Sequence, residues 1–97
     1  TYAAASQRWP GNAAMLIGVG NTAYQAGDRA ASADAFRRAT ERDPRNAAAL
    51  NNLAVVLTEL GRLKEARKAA EQAIALGGQW QAAARATLAT IEAAEKK

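Results

Sequence analysis

Arg37, Arg38, Arg42 and Arg45 lie in one short stretch and are the chain's nearest approach to a charge cluster. Guanidinium groups held side by side offer planar, charge-assisted donors to phosphates and carboxylates. Glu41 and Asp43 interrupt this stretch, and no aromatic side chain is interleaved to stack bases. The formal charge is +4 and the sequence pI is near 10, but the cations are scattered among acids along the chain. The excess therefore reads as a solvated outer face, and no nucleic-acid partner is expected.

Other residues capable of chemistry are scarce. The 97-residue chain contains neither cysteine nor histidine. It therefore has no disulfide framework, thiolate zinc site or thiol nucleophile, and it lacks the commonest general base and metal ligand. Every Ser-His or Cys-His arrangement is unavailable. No catalytic, metal-binding or cofactor-binding residue emerges; the chain is expected not to be an enzyme and to need no cofactor. No apolar run approaches the roughly twenty residues that span a bilayer, so a soluble chain without membrane insertion is expected. The sequence opens at Thr1 with neither a methionine nor a signal-peptide pattern, which suggests a mature or excised segment. Its alanine-rich, arginine-heavy composition suggests a bacterial source, with cytoplasm and periplasm both open.

The elements that position these side chains are marked by punctuation. Pro10 and Pro44 are thirty-four residues apart, as are Gly27 and Gly61. That interval marks a stacked helix-turn-helix unit, which cannot bury its apolar face without neighbours. Of the chain, 49% is hydrophobic but only 5% aromatic. Much of the apolar content is alanine, the best helix former, which buries little area per residue. These properties predict an all-α chain with close helix contacts. Leu50, Leu53 and Leu57 recur at the helical period, as do Ala66, Ala69, Ala70 and Ala73.

Helices are predicted over 13–26, 30–42, 47–60, 63–76 and 81–95. Asn12 and Asn46 are expected N-caps, Gly27 and Gly61 close the first helix of each unit, and Asp43-Pro44 and Gly77-Gly78 close the second. A single domain over 1–97 divides into the end of a truncated repeat (1–10), repeats at 13–46 and 47–80, and a C-terminal capping helix (81–97). Leu16, Val19, Phe36, Leu50, Leu53, Leu57 and Ile74 are the expected core, with Trp9 and Trp80 covering repeat junctions. The truncated N-terminal helix, carrying Tyr2 and Ala5, is expected to leave an apolar face open to self-association.

The order of these residues resembles the tetratricopeptide repeat family. The first unit supplies Leu16, Val19-Gly20, Ala23, Ser32, Phe36 and Pro44, with Gly27-Asp28 at its turn. The second supplies Leu50, Leu53-Ala54, Leu57, Ala66, Ala70 and Ala73, with Gly61 at its turn and Gly78 where a proline is expected. Gly20, Ala54, Ser32 and Ala66 sit where two helices should approach most closely. The resemblance implies an α-solenoid of antiparallel helix-turn-helix repeats whose concave groove binds a protein or peptide. Its expected lining is Ile17, Gly18, Asn21, Tyr24 and Gln25, then Asn51, Asn52, Val55, Thr58 and Glu59, then Arg85, Ala89 and Glu92.

Asn21, Asn51 and Asn52 would hydrogen-bond a peptide main chain, Ile17, Tyr24 and Val55 would supply apolar contact, and Arg85 is the one cation that could meet an anion. Family members that grip chaperone C-termini use a carboxylate clamp. Its two asparagines match Asn21 and Asn52, but its cationic positions hold Ile17, Ala82 and Ala86. Two neutral amides cannot offset the desolvation of a carboxylate, so chaperone-tail binding is not expected. A second reading comes from Leu50-Asn51-Asn52-Leu53-Ala54 through Gly61-Arg62-Leu63 to Ala75-Leu76-Gly77-Gly78. This stretch resembles C-terminal repeats that follow a papain-like cysteine peptidase in some bacterial proteins. The chain would then be an accessory domain, with all catalytic residues outside it.

Overall fold

The computed structural model describes residues 13–96. Five α-helices succeed one another there: α1 (Ala13–Gln25), α2 (Arg29–Arg42), α3 (Ala47–Glu59), α4 (Leu63–Leu76) and α5 (Gln81–Glu95). Each begins and ends within one residue of its predicted bounds. A single 3-10 turn at Gly78–Trp80, for which residue order predicts only a connecting loop, links α4 to α5. The described residues contain no strand. Residues 1–12, and with them the expected Asn12 cap, Trp9 and the Tyr2–Ala5 surface, lie outside the described residues.

The helix ends repeat their chemistry at the repeat interval. Gly27 and Gly61 have φ of 85° and 81°, left-handed backbone that a side chain would strain. Behind each, the next amide folds back onto the helix: Asp28 N–H donates to the Ala23 carbonyl at 2.9 Å and Arg62 N–H to the Leu57 carbonyl at 2.9 Å. Asp28 then caps α2, its Oδ1 accepting from Ala31 N–H at 3.0 Å. Asn46 caps α3 as expected, accepting from Ala49 N–H at 3.1 Å.

The helices pair as α1 with α2 and α3 with α4. In addition α2 packs on α3, α4 on α5, and α3 also meets α5. Helix α3 is therefore the central element, enclosed by three others. Its Leu50, Leu53, Ala54, Val56 and Leu57 join Phe36 and the Ala66, Ala69, Ala70 and Ala73 face of α4 in one core, closed at the far end by Ala84 and Ile91. Of the expected core residues, Leu16, Val19, Phe36, Leu50, Leu53 and Leu57 are buried, whereas Ile74 is only half-buried. It packs against the edge of this cluster, near the exposed C-terminal turn of α4. Trp80 is half-buried on the 3-10 turn, which lies against α3 and α5.

Two small residues control how closely α1 and α2 approach. Gly20 faces the Phe36 ring, and the fully buried Ser32 hydroxyl donates to the Gly20 carbonyl at 2.8 Å. The second unit replaces this pair of Gly20 and Phe36 with Ala54 and Ala70. Glycine opposite an aromatic ring has become alanine opposite alanine, keeping two helices in contact with different side chains.

The arginine stretch disperses into surface pairs. Arg37 donates to Glu65 Oε2 at 2.8 Å, and Arg38 pairs with Asp34 at 3.2 Å. Arg67 on α4 donates to Glu95 at 2.8 Å and also approaches Glu92 and Glu71, joining α5 to α4 along the outer face. Exposed pairs of this kind contribute little one at a time.

Candidate peptide-binding groove

One side of each first helix points along the stack. Ile17, Asn51 and Arg85 occupy equivalent positions at the repeat interval. Ile17 is half-buried and packs against the core. Asn51 is only 7% exposed, and its Oδ1 accepts from the Thr87 hydroxyl of α5 at 2.8 Å. These two side chains join successive repeats. Of the other expected residues, Asn21, Tyr24, Asn52, Val55, Thr58 and Glu59 line two clefts, whereas Gly18, Gln25 and Ala89 line neither. Asn21 and Tyr24 from α1 face Asn52 and Val55 from α3 across a cleft of about 170 Å³, with the buried Phe36 and Val56 below. A second cleft of about 160 Å³ lies one repeat further on, between Val55, Thr58 and Glu59 of α3 and Thr87 and Thr90 of α5.

Val55 belongs to both clefts and forms the ridge between them. Asn21 is exposed and Asn52 half-buried; neither side-chain amide has a hydrogen-bond partner among the described residues. Among the described residues, each thus retains donor and acceptor capacity. Arg85, next in register after Ile17 and Asn51, is exposed and lines neither cleft. Glu92 turns toward Arg67 and likewise lines neither cleft.

Sequence reasoning missed Thr87 and Thr90. The available signal was their spacing of three on an otherwise alanine-rich helix, which puts both hydroxyls on one face. It also missed Arg29. This residue opens α2 but reaches α3, where Nε donates to Glu59 Oε1 at 2.5 Å while the Tyr24 hydroxyl donates to Glu59 Oε2 at 2.7 Å. The guanidinium lies 5.6 Å from the centroid of the Tyr24 ring, within cation–π range. Tyr24 lines the first cleft and Glu59 the second, so this triad forms a rim common to both.

The electrostatics of the rim arise from these bonds. The Arg29 hydrogen bond, followed by that from Tyr24, holds the Glu59 carboxyl below its ordinary value. The bond to Glu59 in turn pushes the Tyr24 phenol up. Because folding depresses the Glu59 pKa, its stabilising contribution is present above the ordinary carboxylate range and is lost as pH falls through the depressed value. Carboxyl-detected NMR is expected to show Glu59 titrating below that range, and Arg29→Gln is expected to move it upward. A Glu59 midpoint unaffected by Arg29→Gln would contradict this assignment.

A family model for the tetratricopeptide repeat matches residues 19–88. No curated protein matches the chain. No helix among the described residues is long and apolar enough to cross a membrane.

Proposed function

Since the chain belongs to the tetratricopeptide repeat family, whose members generally mediate protein–protein contacts without catalysis, we propose that its concave face docks an extended peptide or a neighbouring protein domain. The observation that carries this reading is the pair of amides, Asn21 and Asn52, without a hydrogen-bond partner among the described residues and on opposite walls of one cleft beside Tyr24 and Val55. An amide side chain can bond both the N–H and the C=O of a passing peptide unit, and the neighbouring ring and aliphatic surface offers apolar contact. Ile17 and Asn51 serve this function indirectly, by holding the spacing of the two walls.

The test is selection of peptides from an unbiased display library on the immobilised chain, with calorimetry on the best binder. Asn21→Ala combined with Asn52→Ala is expected to weaken affinity about tenfold or more, since each lost hydrogen bond to a neutral peptide contributes roughly 0.5–1.5 kcal/mol. Unchanged affinity in the double variant would remove these residues from the site. Selected peptides that bind along α2 and α4 instead would overturn the concave-face reading.

A further inference from the structure

The second cleft has a hydrogen-bond polarity that the first lacks. Thr58 donates its hydroxyl proton to the Ala54 carbonyl at 2.7 Å, and Thr90 donates to the Ala86 carbonyl at 3.2 Å. Thr87 is within donating distance of Asn51 Oδ1 at 2.8 Å and of the Ala83 carbonyl at 3.0 Å, so its single proton is committed as well. What these hydroxyls still present is lone pairs. Glu59 adds a carboxylate, about a third of whose side chain remains accessible. Two of its roughly four acceptor positions are taken by Tyr24 and Arg29. Val55 completes the lining and offers only methyl groups. Every hydroxyl proton of the lining residues is already donated inward, so the lining itself presents acceptors alone, and the donors nearest to it belong to Arg29 on the rim.

We propose that the cleft between α3 and α5 takes a basic side chain, lysine or arginine, of the partner segment. The proposal rests on the groove reading and names the chemistry one half of that groove selects. A lysine stem packs on Val55 and the threonine methyls while its ammonium brings three donors to Thr58, Thr90 and Glu59. A carboxylate in the same place would meet the threonine lone pairs and the like charge of Glu59, whose carboxylate already holds Arg29. A neutral aliphatic side chain would leave the acceptors stripped of water and unpaired. Arg29 competes for Glu59, which makes it an internal occupant of the same acceptor and a brake on affinity. The partner's peptide unit crosses Asn21 and Asn52, and its basic residue falls one repeat further along, on the far side of the Val55 ridge.

The test uses three capped pentapeptides, Ala-Ala-X-Ala-Ala, with lysine, norleucine or glutamate at X, titrated to millimolar concentration against the isotopically labelled chain. Lysine is expected to shift the Thr58, Thr87 and Thr90 methyl resonances and to bind at least fivefold more tightly than norleucine. Glu59→Gln is expected to abolish that preference. Because Glu59→Gln also loosens the rim, Arg29→Gln is measured beside it. This second variant loosens the same rim but frees the carboxylate, and it is expected to tighten lysine binding severalfold. Loss of binding in both variants would mean that the rim acts only as structure, and would overturn the proposal. Equal shifts from all three peptides around Asn21 and Asn52, without lysine preference, would leave the groove reading standing and overturn the basic-residue inference. No shift from any peptide would overturn both.

Discussion

Leu57→Ala is expected to lower the free energy of unfolding by about 3–4 kcal/mol, within the range for buried leucine truncations that leave a cavity. Leu57 is 1% exposed on α3, the helix that α2, α4 and α5 all contact. Much of the neighbouring surface is alanine, from Ala54 across to Ala66, Ala69, Ala70 and Ala73. Alanine has no rotamers with which to fill a void, so relaxation around the missing isobutyl group must come from helix movement. A chain of this size has about 5–15 kcal/mol of stability in total, and the substitution removes a large part of it. Urea denaturation is the measurement, with a lower midpoint at an unchanged slope the expected pattern. Leu76→Ala is the control: Leu76 is 37% exposed, and its truncation is expected to cost within about 0.5 kcal/mol. Equal losses at the two positions would show that Leu57 is not enclosed as described.

Gly20→Ala is expected to destabilise the chain by about 2 kcal/mol, although alanine is the better helix former by about 1 kcal/mol. A Cβ at Gly20 would stand 2.5–2.8 Å from three atoms of the Phe36 ring. Phe36 is itself 2% exposed, so moving the ring gives up packing with its neighbours or pushes it into the first cleft. Relief otherwise requires α1 and α2 to separate, which also stretches the buried hydrogen bond from Ser32 to the Gly20 carbonyl. The double variant Gly20→Ala with Phe36→Leu is expected to recover part of the loss, moving this pair toward the Ala54–Ala70 arrangement of the second repeat. The coupling is read from a double-mutant cycle. Additive effects, or a Gly20→Ala protein more stable than the parent, would show that the crossing has slack.

Much of the fold could be read from residue order because its determinants are local. Gly27 and Gly61 stop their helices through a backbone conformation that any chain would find at a glycine, and Asn46 caps α3 through a bond to an amide three residues away. The helical period of Leu50, Leu53 and Leu57 does not depend on what they touch. The 3-10 turn after Gly77 was harder to foresee, since two consecutive positive-φ glycines leave the direction of the next helix open.

The candidate site was legible in proportion to how far each residue depends on the repeat. Asn21, Tyr24, Asn52 and Val55 could be placed on one face by register, and the structure brings them around one cleft. Ile17, Asn51 and Arg85 share that register, but their shared direction runs along the stack. Whether such a position becomes core, junction or solvent is set by the neighbour that the stack places against it: hydrophobic core for Ile17, Thr87 for Asn51 and open surface for Arg85.

The linear order of amino acids was enough to establish an all-helical repeat without a histidine or thiol centre, because helix propensity, caps and breakers act over a few bonds. The packing of one helix on another was needed for the rest: Arg29 reaching across thirty residues to Glu59, hydroxyl protons turned inward at Thr58, Thr87 and Thr90, and a single valine shared by two clefts. Hydrogen-bond polarity at a surface depends on which donors the protein has already used. That is settled only when the chain has folded and each proton has found its acceptor.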